Sequence, residues 1–150
     1  MCGIVAYLGV QECYTHLIHG LKMLQNRGYD SAGICVINNR GFYVIEKYAS
    51  TNEVTAVEKL EICANIFDNS NIGIAHERWS TTGPKTNENS HPHIDNFNKF
   101  AVVHNGIIEN YEELKEGRQL HLDWISSGYF NQELLKDLQY DSRALIKIIE

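Results

Sequence analysis

The second residue is where chemistry is most easily placed in this chain: a cysteine directly behind the initiator methionine. A small residue at this position is the setting in which Met1 is trimmed, and trimming leaves Cys2 with both a thiol and a free α-amine. The amine has a reference pKa of about 8, so part of it is neutral near pH 7 and can accept the thiol proton. One residue then supplies the nucleophile and its base. The other cysteines, Cys13, Cys35 and Cys63, form no CxxC pair and read as small core residues. His91-Pro92-His93 offers two close imidazoles, but no third ligand is indicated, so no metal is expected. Asn105-Gly106, taken alone, has the composition of a hairpin turn.

The elements that must hold these residues can be read from the spacing of apolar positions. Cys2 to Gly9 is a short apolar run ending in glycine and reads as a buried strand. Cys13, Leu17, Leu21 and Leu24 recur at helical intervals between Gln11 and Asn26. Ala32–Ile37 and Phe42–Tyr48 flank Asn38-Asn39-Arg40-Gly41 as a hairpin. Ser50 or Thr51 is the expected cap of a helix running to about Phe67. Strands are expected at 71–76 and 100–104, separated by a loop from Arg78 to about Asn98. Asn110-Tyr111-Glu112-Glu113 has the form of a capping box, and Asp141 is a plausible cap for a helix over Arg143–Ile149. This order predicts an α+β domain of mainly antiparallel sheet, not a regular βαβ series.

Bulk properties set the limits. One domain of 150 residues, with 13 basic and 19 acidic residues, has a formal charge of −6 and no basic run. Neither nucleic acid nor an anionic membrane is an expected partner. No apolar run approaches a membrane span, and no basic leader with an apolar stretch opens the chain, so a cytoplasmic protein is expected. No glycine-rich phosphate loop is present, and no cofactor is expected.

Five segments carry a resemblance. Cys2-Gly3-Ile4-Val5 is followed by Asn26-Arg27-Gly28-Tyr29-Asp30-Ser31-Ala32-Gly33-Ile34. Gly73 to Pro84 then reads GIAHERWSTTGP, with His91-Pro92-His93 behind it, and Val103-His104-Asn105-Gly106-Ile107-Ile108-Glu109-Asn110-Tyr111 comes last. In this order over residues 2–114 they resemble the class II (N-terminal nucleophile) glutamine amidotransferases. Within that family the wording is nearest to the glutaminase domains of glucosamine-6-phosphate synthases, while Ser80-Thr81-Thr82-Gly83 leans towards the amidophosphoribosyltransferase version.

The resemblance implies a fold and a set of roles. The fold is an αββα sandwich of two antiparallel sheets flanked by helices. Cys2 would attack the side-chain amide of glutamine, release ammonia and leave a glutamyl thioester for water to cleave. Asn105 and Gly106 would supply the oxyanion donors, a side-chain amide and a backbone N–H. Arg78 would bind the substrate α-carboxylate, for which a planar guanidinium fork is suited. Thr81 would add a hydroxyl, and His91 would support the loop around the pocket. Trp79 would cover the site, or else be a partly buried core aromatic. Arg27 would organise the nucleophile, or else be a helix-end arginine. His16, His19, His76, His104 and His121 are assigned to packing or surface.

The chain departs from the family pattern towards its end. Asp141 is the candidate for the substrate amino group, but Arg143 stands where the family has an acidic residue. The spacing from Asn105 is also about ten residues longer than the family's, and residues 119–132, with Trp124, Tyr129 and Phe130, match nothing in it. Full family domains are longer than this chain, so a shortened sandwich is expected. Its ammonia would serve a synthase or aminotransferase partner chain, with oligomerisation compatible. A catalytically silent glutamine-binding module and a truncated synthase fragment are the competing readings.

Overall fold

A computed structural model describes residues 2–26, 28–81, 83–95, 97–106 and 147–149. Two sheets and two helices are built from them, so the architecture is α+β as the spacing predicts. β1 (Gly3–Leu8), β2 (Ser31–Asn38), β3 (Tyr43–Ala49) and β4 (Ser70–Arg78) form one antiparallel sheet in the order β1-β4-β2-β3. β5 (His93–Ile94), β6 (Ala101–His104) and β7 (Lys147–Ile149) form a second, smaller sheet.

Side-chain alternation divides the four-stranded sheet into two working faces. Ala32, Ile34 and Val36 of β2 and Ala75 of β4 pack with Cys13, Leu17, Ile18 and Leu21 of α1 (Cys13–Leu24) and with Ala56, Val57 and Leu60 of α2 (Ala56–Ile62). The intervening Cys35 and Ile74 turn the other way and pack with Ala101 and Val103 of β6. Helices therefore cover one face of the large sheet, and the small sheet covers the other. α1, β2 and β4 form where their patterns predict because each apolar period matches the layer it joins: 3.6 residues for α1, two for β2 and β4.

Four expectations are corrected. The second helix is capped by Thr55, not by Ser50 or Thr51: the Thr55 hydroxyl accepts from Glu58 N–H, and the Glu58 carboxylate accepts from Thr55 N–H. That capping box stops the chain from entering the helix earlier. The helix ends at Ile62, and Ala64–Phe67 is a single 3₁₀ turn that swings Phe67 into the core. Residues 147–149 form a strand and not the end of a helix, and β7 runs parallel to β6, which breaks the antiparallel pattern of the small sheet. Cys63 is half-buried beside the Tyr48 hydroxyl at 3.2 Å, whereas Cys13 and Cys35 are core residues as expected. The capping box at 110–113 and the Asp141 cap lie outside the described residues.

Candidate active site

The C-terminal end of β4 gathers the polar residues. Gly3 of β1 pairs with Glu77, which places Cys2, one residue earlier, beside the strand end at Arg78 and Trp79. The Cys2 thiol lies against a single peptide unit there. Its Sγ accepts from Trp79 N–H at 3.4 Å and donates to the Trp79 carbonyl at 3.7 Å. The thiol is thereby held at the end of β4 by main-chain atoms of one residue.

Two glycines let main chain approach main chain around this point. A Cβ on Gly28 would sit 2.7 Å from the Arg78 carbonyl carbon and 2.9 Å from Trp79 N. A Cβ on Gly33 would sit 2.2 Å from the His91 carbonyl oxygen. Neither space admits a side chain. The first contact presses residues 28–30 against the peptide that holds Cys2, and the second seats the His91 loop on the face of β2.

Asp30 ties these segments together. Its N–H donates to the Arg78 carbonyl at 3.1 Å, and its carboxylate accepts from Ser80 N–H at 2.7 Å and pairs with Lys85. The carboxylate is 7% exposed, so that pair acts in a partly desolvated setting where charge counts for more than at the surface. Asp30 stands inside the second motif, yet nothing about its neighbours in sequence announces a partner 50 or 55 residues away.

Arg78 is buried, and its guanidinium donates to the carbonyls of Pro84 and Asn89, both at 3.2 Å. Burial lowers its pKa, while Cys2 and Asp30 oppose that shift, so the cation lies within electrostatic reach of the thiol. Trp79 is 41% exposed and meets Tyr29 edge to face at 5.3 Å between ring centres. Thr81 is exposed on the loop that follows.

Histidines fill the space between β4 and the small sheet. The His76 and His91 rings lie 4.5 Å apart, and those of His91 and His93 lie 4.3 Å apart. Burial holds His76 down to about 4 and His91 and His93 well below the usual imidazole range. Neighbouring rings and Lys47 reinforce the shift for His91 and His93. All three are neutral near pH 7. Lys47 of β3 reaches over them, donating to the Glu88 carbonyl at 3.2 Å and to His93 Nδ1 at 3.1 Å, and burial lowers its own pKa to about 8. Among the described residues no group of three or more His, Cys, Asp or Glu side chains is arranged to hold a metal ion.

Asn105 follows β6 directly, and its side-chain oxygen lies 2.8 Å from His76 Nε2. Gly106 has φ +127°, a conformation open to glycine and poorly accessible to other residues. β4 therefore collects Cys2 and Arg78 at its end, and through His76 it also collects Asn105 and His91. Of the residues singled out in the sequence, Arg27 and Asp141 lie outside the described residues, as does His121. His16 and His19 are exposed, while His76 and His104 are buried. His76, Asp30 and Gly28 have positions here that their sequence context alone did not single out.

No protein-family model matches the chain. Curated relatives do. Glutamine–fructose-6-phosphate aminotransferase (isomerizing) of Bacteroides thetaiotaomicron is 39% identical over 150 residues, all of this chain and 22% of the relative. The enzyme of the same name from Staphylococcus epidermidis is 36% identical over the same span and share. That of Cyanidium caldarium is 46% identical over 115 residues, 77% of this chain and 18% of the relative. The chain thus spans about a fifth of the length of the curated relatives it matches. The resemblance carried by the motifs is thus matched by similarity along the whole chain to glutamine–fructose-6-phosphate aminotransferases.

Proposed function

We propose that this chain is a class II glutamine amidotransferase domain of the N-terminal nucleophile type, and that it hydrolyses the side-chain amide of glutamine. The observation that carries the reading is the Cys2 thiol held on the Trp79 peptide beside the buried Arg78 cation. Whole-length similarity to glutamine–fructose-6-phosphate aminotransferases supports it. So does the layering of helices, large sheet and small sheet, three of the four layers of an αββα sandwich.

The chemistry proceeds in two balanced steps. With Met1 removed, the α-amine of Cys2 takes the thiol proton, and sulfur adds to the amide carbon of glutamine. The oxygen of the tetrahedral adduct takes up negative charge, which the Asn105 side-chain NH₂ and the Gly106 N–H stabilise. Collapse breaks the C–N bond, the proton on the α-amine goes to the leaving nitrogen, and ammonia departs. Water then adds to the glutamyl thioester with the same amine as base, giving glutamate and free Cys2. Arg78 binds the substrate α-carboxylate, Asp141 its amino group and Thr81 adds a hydroxyl. Trp79 covers the pocket, His91 supports its loop and Arg27 organises the nucleophile.

The ammonia serves a synthase or aminotransferase acceptor, as the relatives' names suggest for an amino-sugar product. A cytoplasmic location suits that role, and no helix among the described residues is long and apolar enough to cross a membrane. The test is a glutaminase assay on purified protein, with intact mass recorded on the same sample. Glutamate and ammonia released in step from Met1-free protein are expected. No release from correctly processed protein would overturn the reading in favour of a silent glutamine-binding module.

A further inference from the structure

An asparagine carboxamide has two ends of nearly equal size and opposite polarity. Only the NH₂ end can donate to an oxyanion, and the carbonyl end would repel it. Whatever fixes the rotation of the Asn105 side chain therefore decides whether this residue helps or hinders. In the structure the carbonyl end is held: Asn105 Oδ1 lies 2.8 Å from Nε2 of His76, across 29 residues of sequence. A carboxamide oxygen is purely an acceptor, so the proton belongs to Nε2 of the imidazole.

We propose that His76 is a positioning residue for the oxyanion donor, its Nε2–H clamping the Asn105 oxygen so that the NH₂ end is the one presented to substrate. The inference rests on the glutaminase reading above and assigns a residue that acts through Asn105 without touching glutamine.

Several observations make His76 a firm clamp. It is 1% exposed and stands in the interior of the large sheet, paired with Ile4 on one side and Gly33 on the other. Its ring packs against the buried His91 ring, whose own loop is seated on Gly33 and held by Lys47 through Glu88 and His93. Among the described residues, the groups that bear on its charge are the Asn105 side chain, Arg78, and the backbone and ring of His104, with the His91 ring packed beside it. A neutral ring carries one N–H, so the tautomer is committed by its partner. The bond also links β4 to the end of β6, setting Asn105 against the strand end where Cys2 lies.

Two variants and one spectrum test the clamp on the full chain. H76L keeps the volume but removes the donor. H76Q keeps a donor on a longer amide. H76L should lower kcat for glutamine hydrolysis about 100-fold with KM nearly unchanged, because the lost contact acts in the transition state. H76Q should recover most of that loss. In an N105A background H76L should add little, since the residue it positions is gone. Equal losses in H76L and H76Q, or a full further loss in the N105A background, would overturn the clamp in favour of mere packing. A long-range ¹H–¹⁵N spectrum of the unmutated protein should show the His76 proton on Nε2 at pH 7. A proton on Nδ1 would overturn the proposal whether or not the variants fold. The spectrum needs no turnover, so an inactive wild-type protein would sink the glutaminase reading while leaving the clamp to be judged separately.

Discussion

His76 and Glu77 are consecutive on β4, turn to opposite faces of the large sheet, and are both held neutral by burial, one with its pKa lowered to about 4 and the other with its pKa raised to about 8. Their effects on stability run in opposite directions with pH. His76 binds its proton more readily unfolded, so its contribution is full above about 6.5 and is lost as pH falls towards 4. Glu77 binds its proton more readily folded. Its contribution is full below about 4.5 and is lost as pH rises through about 8.

Glu77→Gln should therefore flatten the alkaline side of the stability profile. The variant should match the wild type near pH 4.5 and exceed it by a few kcal/mol at pH 8 and above, because the amide removes a carboxylate that must ionise in a buried place. Urea unfolding from pH 4 to 9 reads this directly. Parallel profiles would show that Glu77 is solvated in the folded state.

Cys2→Ala should abolish glutamate release while leaving the fold in place, since the thiol contacts one peptide unit at the start of an edge strand. Protein that retains Met1 should be equally silent, because its α-amine is no longer on Cys2. Assays on Met1-retained and trimmed samples, sorted by intact mass, check both; activity in either inactive form would place the nucleophile elsewhere.

Arg78→Lys should raise KM for glutamine by about 10-fold or more. An ammonium cannot bind both carboxylate oxygens as a planar fork does. It would also loosen the residue 84–89 segment that the guanidinium now bonds through the Pro84 and Asn89 carbonyls. Steady-state kinetics across a glutamine series would detect the change, and an unchanged KM would remove Arg78 from substrate binding.

Gly28→Ala and Gly41→Ala should differ in kind. At Gly28 the new methyl meets the Arg78–Trp79 main chain at 2.7 to 2.9 Å, so the strand end that carries the site must move. A loss of about 1–3 kcal/mol is expected, together with weakened glutamine hydrolysis. Gly41 has φ +81° with open space around it, so only backbone strain of about 1 kcal/mol is expected, with activity intact. Melting curves and kinetics on the two variants separate the cases.

Much of this arrangement can be read from residue order, and what cannot has a common cause. The apolar period of α1 and the turn at 38–41 specify local elements, and both lie where they are expected. The Thr55-x-x-Glu58 capping box was legible too, but Ser50 and Thr51 offered an earlier and competing cap. Residues 147–149 are three apolar-rich positions that suit a helix or a strand equally, and a partner 45 residues away decides between them. His76 reads as one more member of a buried strand; its bond to Asn105 belongs to the contact between two sheets. Chemistry-bearing residue types were visible one by one, whereas the ties among Asp30, Ser80 and Lys85 exist only once the chain has folded.

The two edges of the large sheet are unlike. Along β3 the neighbouring loop closes over the strand: Ala49 N–H donates to the Asn87 side chain at 2.8 Å, the Tyr43 hydroxyl to the Lys99 carbonyl at 3.0 Å, and Lys47 reaches Glu88. β1 is the opposite edge, with no strand beyond it among the described residues. Strand addition along β1, a common route by which sheet proteins aggregate, would draw the thiol at its head into the contact. In concentrated or partly unfolded preparations, thiol reactivity should fall before turbidity rises, so that titration of accessible sulfur becomes an early gauge of shelf life.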